Sequence, residues 1–222
     1  MGQIVFITGT DTGVGKTVVA CRLARHWRDT GVKVAALKPF CSGGREDAVA
    51  LHEALGGGLS LDEINPWHFR APLAPLLSAR LEGRRVLLSQ ATAHVQRVRR
   101  NFDIVLVEGA GGLLSPLGED FNARDLIAAW RAKPVVVCPN RLGAVNQSLL
   151  VLAALPPRVR ASAQVVLVSQ PRPDLSSRTN GELLAEFLGK ERIHFLARLK
   201  QDDRTRRTTN LSSLARALRA RT

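Results

Sequence analysis

The stretch from Ile4 to Thr17, IVFITGTDTGVGKT, constrains what this chain can fold into more than any other. The apolar run Ile4-Val5-Phe6-Ile7 reads as a strand and leads into a loop bearing Gly9, Gly13 and Gly15. The loop closes on Lys16-Thr17, and Val19, Leu23, Ala24 and Trp27 follow at helical spacing. Glycines let backbone N–H groups converge on phosphate oxygens, and the positive N-terminal end of the next helix faces the same anion. Lys16 is placed to reach the terminal phosphates, and the Thr17 hydroxyl is placed to ligate Mg²⁺. The run Asp11, Thr12, Gly13, Val14, Gly15, Lys16, Thr17 therefore reads as a nucleoside triphosphate site. The strict pattern puts its first glycine at position 10, where this chain has Thr10; Gly9 stands one residue early.

A strand–loop–helix of this kind belongs in an α/β fold, and the rest of the chain supplies the alternation. Strands are predicted over 3–8, 34–37, 103–107, 134–138 and 164–168, with a short one near 193–196. Helices are predicted over 16–29, 46–55, 143–154 and 181–188. Gly31, the glycines 56–58 and the pair Pro156-Pro157 act as stops. Residues 41–44 read as a loop, and residues 65–69 as irregular with helices on either side. Leu211, Leu214 and Leu218 predict a docked amphipathic helix over about 209–222. The expected architecture is a three-layer α/β sandwich with a mainly parallel central sheet, of P-loop NTPase type, forming one domain over 1–222.

Composition narrows the function classes. No apolar run approaches membrane-span length and no signal peptide opens the chain, so a cytoplasmic protein without membrane partners is expected. Cys21, Cys41 and Cys138 lack metal-ligand spacing, and Cys21 and Cys138 read as small core residues. The net charge of +13 raises nucleic acid as a partner, but it is spread widely. With three Trp, seven Phe and no Tyr, a stacking platform is poorly supplied, and no nucleic-acid partner is expected.

In open parallel sheets ligands sit beyond the carboxyl ends of the strands. Lys16 and Thr17 follow the first strand, Lys38 the second and Glu108 the central one, while Asp47 lies just past the Ser42-Gly43-Gly44 loop. Thr17, Asp47 and Glu108 could supply a Mg²⁺ site, with Glu46 competing with Asp47 for the role. A second lysine near the phosphate loop suits phosphoryl transfer, which needs positive charge on the moving group. Lys38→Ala is accordingly expected to fold normally and lose turnover.

These blocks resemble the dethiobiotin synthetase family, ATP-dependent ring-closing ligases of biotin synthesis. The resemblance rests on Gly9 through Thr17, Lys38-Pro39 with Ser42-Gly43, Glu46-Asp47-Ala48, and Asn65-Pro66 through Phe69. It continues in Val107-Glu108-Gly109-Ala110-Gly111-Gly112, Ser115-Pro116-Leu117, and Leu142-Gly143 with Asn146. It implies that 7,8-diaminopelargonate takes up CO₂ as a carbamate, which MgATP phosphorylates before the second amine closes a cyclic urea. By position, Lys16, Lys38 and Thr12 would be catalytic. Thr12, Lys38, Ser42 and Gly111 would touch substrate, and Thr17, Asp47 and Glu108 would hold Mg²⁺. The family is a homodimer, in which the helix start at Gly143 and Asn146 would receive the substrate's carboxylate from across the interface.

The sequence departs from the family in places. Family members often carry an acidic residue where Gly13 stands, and an adenine-reading asparagine where Ser169-Gln170-Pro171 stands here. Their later Pro-Trp-Leu-like segment is replaced by Phe195-Leu196-Ala197-Arg198. Gln170 is the remaining candidate for contact with the base, weak discrimination among triphosphates is expected, and triphosphates other than ATP are possible co-substrates. The alternative is a switch-type ATPase of the same fold regulating a partner protein or DNA. Against it, Asp11 stands where such proteins carry an extra lysine, and Glu108-Gly109-Ala110 replaces their aspartate-proline switch.

Overall fold

The computed structural model describes residues 2–197 and 211–220. In chain order the elements begin β1 (Gln3–Gly9), α1 (Lys16–Asp29), β2 (Val34–Leu37), β3 (Phe40–Ser42) and α2 (Glu46–Leu55). Next come α3 (Leu61–Ile64), β4 (Trp67–Phe69), α4 (Pro75–Leu81), α5 (Leu88–Arg99), β5 (Ile104–Glu108) and α6 (Ala123–Trp130). The chain continues with β6 (Lys133–Asn140), α7 (Ala144–Ala154), α8 (Pro157–Arg160) and β7 (Gln164–Ser169). It ends with α9 (Asn180–Leu188), β8 (Ile193–Leu196) and α10 (Ser212–Arg219).

Six strands form one parallel sheet in the order β2-β5-β1-β6-β7-β8. The order reverses around β1, which opens a crevice beyond its carboxyl end, as doubly wound sheets do. Alternate strand residues sort into two cores because successive side chains point to opposite faces. On one face Phe6, Leu37, Val107 and Leu167 pack with Val95 of α5, Leu126, Ile127 and Trp130 of α6, and Leu184 of α9. On the other, Ile7, Ala36, Leu106 and Val137 pack with Leu23 and Trp27 of α1, Leu51 of α2, and Leu214 and Leu218 of α10. Helix, sheet and helix make the three expected layers.

The long predicted elements are present within a residue or two of their expected bounds. Two differences are local. Residues 40–42 and 67–69, read as loop and irregular chain, pair in parallel as β3 and β4, with Cys41 opposite His68. Three-residue strands carry no detectable alternation, and only the partner creates them. Helices α5 and α6 had no prediction of their own. The C-terminal helix has its buried stripe, with Leu211, Leu214 and Leu218 all at 3% exposure or less. Its predicted ends at 209–210 and 221–222, and most of the basic tail, lie outside the described residues. All three cysteines are buried and outside any disulfide, and burial pushes the Cys21 thiol up to about 12. Among the described residues no helix is long and apolar enough to cross a membrane.

Candidate active site

The phosphate loop takes its shape from two glycines. Gly9 ends β1, where a Cβ would come within 2.7 Å of a Val14 methyl and 3.3 Å of the Lys16 side chain. Gly9 thus allows the close approach that the strict motif assigns to the next position. Gly15 caps α1 with φ +100°, a left-handed conformation that disfavours a side chain. The loop is tied to the sheet where the Thr10 N–H donates to the Val137 carbonyl at 3.0 Å. Val14 turns into the core, whereas Asp11, Thr12 and Gly13 are exposed. Asp11 accepts from the Thr12 N–H at 2.7 Å, and its carbonyl accepts from Lys16 Nζ at 2.8 Å. Lys16 is 5% exposed, and burial, with the Lys38 ammonium nearby, pushes it down to about 8.

Strand register then brings the remaining charges together. In the parallel ladder Leu37 pairs with Val107 and Ile7 with Glu108. Lys38 and Glu108 are each the next residue along, so both leave the sheet at the same height beside the phosphate loop. Lys38 Nζ donates to Glu108 Oε1 at 2.6 Å, to Asp47 Oδ2 at 2.8 Å and to the Gly109 carbonyl at 3.3 Å. Thr17 Oγ1 lies 2.8 Å from both Asp47 Oδ1 and Glu108 Oε1. The ammonium at Lys38 is 4% exposed and the carboxylate at Glu108 is 1% exposed. Burial alone would lower the Lys38 pKa, but the two carboxylates hold it raised, so Lys38 is a cation. Burial likewise works against the Asp47 carboxylate, and Lys38 and Thr17 outweigh it to hold the pKa low.

A cavity of about 800 Å³ covers this cluster. It brings together Thr12, Gly13, Gly15, Lys16, Thr17, Lys38, Ser42, Asp47, Glu108 and Gly111 from the expected set. Ser42 Oγ and Glu108 Oε2 are buried there without a hydrogen-bond partner among the described residues. Glu46 stays beside Gly44 and has no contact with Thr17 or Lys38, so Asp47 is the carboxylate of the cluster. Ser115, also on the wall, accepts from the Gly112 N–H at 2.9 Å; the sequence marks it through the Ser115-Pro116-Leu117 block, though it is not among the expected site residues.

Of the expected residues that do not line the cavity, Asp11 and Val14 belong to the phosphate loop, and three stand apart from both. Gly143 and Asn146 lie at the exposed start of α7, where Gly143 has φ +90°. Gln170 follows β7 and turns its amide onto the Val168 carbonyl at 2.9 Å, near Gly15, where an added Cβ would lie 3.5 Å from the Val168 methyls. A larger cavity of about 990 Å³ opens at the other end of the sheet, lined by Arg99, Arg131, Lys133 and Arg158. There Arg99 and Lys133 are already engaged by the carbonyls of Gly2, Leu218 and Ala220. Size does not decide between the two cavities: only the first holds the phosphate loop.

Among the described residues no group of three His, Cys, Asp or Glu side chains could hold a metal. Mg²⁺ does not need one, since it uses one or two carboxylates together with phosphate oxygens and water. Thr17, Asp47 and Glu108, with the unpartnered Glu108 Oε2, fit that chemistry.

Comparison with known proteins gives the family. The family model described as AAA domain matches residues 3–209. The ATP-dependent dethiobiotin synthetase BioD of Anaeromyxobacter dehalogenans is 39% identical, with 96% of this chain and 97% of that protein covered. The protein of the same name from Bacillus licheniformis is 38% identical over 83% of this chain and 81% of its own length. Among solved structures, the MinD cell division protein of Aquifex aeolicus has a TM-score of 0.56 at 16% identity, covering 88% of this chain and 82% of its own. A ParA family ATPase from Chlorobium tepidum has a TM-score of 0.54 at 12% identity, covering 91% of this chain and 87% of its own. These two likenesses concern the fold alone. With relatives this similar over nearly its whole length, the chain belongs to the ATP-dependent dethiobiotin synthetase family.

Proposed function

We propose that this protein is an ATP-dependent ring-closing ligase that converts 7,8-diaminopelargonate and CO₂ into dethiobiotin. The observation that carries this reading is the buried Lys38 ammonium, shared by Asp47 and Glu108 beside the phosphate loop. A cation held there, away from water, serves charge that moves between phosphate and an acyl oxygen. The protein would act as a single cytoplasmic ligase domain, paired as a homodimer.

The chemistry divides among the chain's own residues. One amine of the diamine bonds to CO₂ and loses a proton, giving a carbamate whose oxygens Lys38 stabilises. Thr12 and Ser42 hydrogen-bond the substrate, the backbone at Gly111 lies against it, and Ser42 Oγ is a buried hydroxyl on the cavity wall lacking a partner among the described residues. Backbone N–H groups of residues 11–17 and Lys16 hold the triphosphate. A carbamate oxygen attacks the γ-phosphorus, the bond to ADP breaks, and Lys16 and Lys38 offset the charge on the moving group. Mg²⁺, held by Thr17, Asp47 and Glu108, would neutralise phosphate charge when bound. The second amine then attacks the carbamoyl carbon, phosphate leaves, a proton is released and the urea ring closes. Gly143 and Asn146 of the partner subunit would receive the substrate's carboxylate, which suits a helix start. Gln170 is the candidate for contact with the base.

The test is ADP release with MgATP and bicarbonate, with and without 7,8-diaminopelargonate, the products being analysed by mass spectrometry. Diamine-dependent ADP release with dethiobiotin formed is expected. Hydrolysis that ignores the diamine and rises with DNA would select the switch ATPase instead.

A further inference from the structure

The backbone of Lys38 is held from behind by a polar clamp that takes no part in the cavity. Asn65 follows α3 and is 1% exposed. Its Nδ2 donates to the Lys38 carbonyl at 2.9 Å and to the Pro39 carbonyl at 3.2 Å. Its Oδ1 accepts from Arg45 Nε at 3.0 Å. The same guanidinium donates through Nη2 to the carbonyls of Leu61 at 3.1 Å and Asn65 at 3.0 Å, and to Asp62 at 2.8 Å. The amide is therefore used on both sides.

Arg45 is also the residue on which α2 begins, and its carbonyl accepts the Val49 N–H at 3.0 Å. Asp47 lies two residues further on and holds both Thr17 and Lys38 Nζ. A closed circuit results. It runs from the Lys38 backbone through Asn65 and Arg45 to the start of α2, and returns from Asp47 to the Lys38 ammonium. Two chain segments, one bearing the reacting cation and the other a carboxylate, are thereby locked at one separation. The phosphate loop is not part of the circuit.

We infer that Asn65 is a positioning residue, which acts through Arg45 and the 38–39 backbone to set Lys38 Nζ against Asp47 for transfer of the phosphoryl group. The inference rests on the ligase reading above. A displacement of about 1 Å at a reacting group can cost roughly a hundredfold in rate, which sets the scale of the effect.

The experiment compares the parent with Asn65→Ala and Asn65→Asp. Asn65→Asp keeps the shape and the acceptor for Arg45 but removes the donation to the two carbonyls. Diamine-dependent ADP release gives kcat, calorimetry without Mg²⁺ gives the affinity for metal-free ADP, and circular dichroism checks folding. The expected result is a kcat lower by roughly a hundredfold, with metal-free ADP affinity within about threefold of the parent. A folded variant with near-parental kcat overturns the inference. So does a parallel fall in kcat and metal-free ADP affinity, which would mean general loosening. If Asn65→Ala does not fold, Asn65→Asp decides, and failure of both to fold makes Asn65 a scaffold residue and overturns the inference. An inactive parent overturns the ligase reading and this inference together, whereas an active parent with unaffected variants overturns the inference alone.

Discussion

The two ends of the nucleotide crevice are built by different physics. At the phosphate end, Lys38, Glu108, Asp47 and Thr17 are cross-linked by contacts of 2.6–2.8 Å, with two of the charges almost wholly buried. Beyond β7, where the proposed base would lie, Gln170 spends its amide on the neighbouring carbonyl of Val168. Leu175, further along that loop, is 81% exposed. Buried charges have few acceptable arrangements, because each separation leaves an uncompensated ion at a large cost. Loosely held loop residues have many. The comparison teaches that the charged end is fixed tightly, while the end proposed to read the base is left open.

The sharpest way to break this contrast is at Lys38. Lys38→Met should lower diamine-dependent ADP release by roughly 10²–10³-fold, the scale for loss of one preorganised charge. It should also lower stability by about 3–5 kcal/mol, since Glu108 loses its partner in the interior. Denaturant unfolding and product assays check both. A variant as stable and as active as the parent would show that the buried pair is ornamental. The sequence leads to an expectation of normal folding for Lys38→Ala because nothing in it marks Lys38 as buried; its burial with Glu108 is the reason a stability loss is predicted here.

A smaller effect belongs to the helix that backs α1. Leu214 is fully buried against the phosphate-loop side of the sheet. Leu214→Ala should cost about 2–5 kcal/mol in urea unfolding. The kcat of molecules that remain folded should hardly change, which separates scaffold from site. A large fall in kcat at full occupancy of the fold would merge them.

Acid should act on the far edge of the sheet. His194 is buried on β8, its ring nitrogens facing Gln164 at 2.8 Å and Ser213 at 3.2 Å, and burial pushes it down to about 4. The unfolded chain takes up a proton near pH 6.5 and the folded chain does not until about 4, so stability is lost as pH falls through that window. The expected loss is about 3 kcal/mol, and His194→Gln should flatten this part of the pH profile. An unchanged profile in that variant would assign the acid sensitivity to other groups.

The smallest effect is expected at the base. Gln170→Ala should raise the KM for ATP by no more than about threefold, because its hydrogen bond is local. ATP, CTP and GTP should differ in kcat/KM by less than about tenfold in the parent. A strong ATP preference would place a base-reading group elsewhere and remove the contrast between the two ends.

Legibility followed the reach of each interaction. The phosphate loop announced itself, because its glycines, lysine and threonine are consecutive and their job is local. Strands and helices with long apolar periods were equally plain. The β3–β4 pair was invisible, since Cys41 and His68 become partners only when the chain folds back. Asn65 stood in a conspicuous Asn-Pro block, yet its role depends on carbonyls at positions 38 and 39 and a guanidinium at position 45.

The sequence by itself determined that the chain would be an α/β nucleotide-binding fold, because strand–loop–helix chemistry is written in adjacent residues. It also supplied the lysines, carboxylates and hydroxyls. Only the tertiary structure decided which of them meet. Parallel register sets Leu37 beside Val107, so Lys38 and Glu108 emerge together, and the start of α2 turns Asp47 rather than Glu46 toward them. A pairing between residues 70 positions apart depends on the whole sheet, because no local propensity can align two strands that four helices and two short strands keep apart.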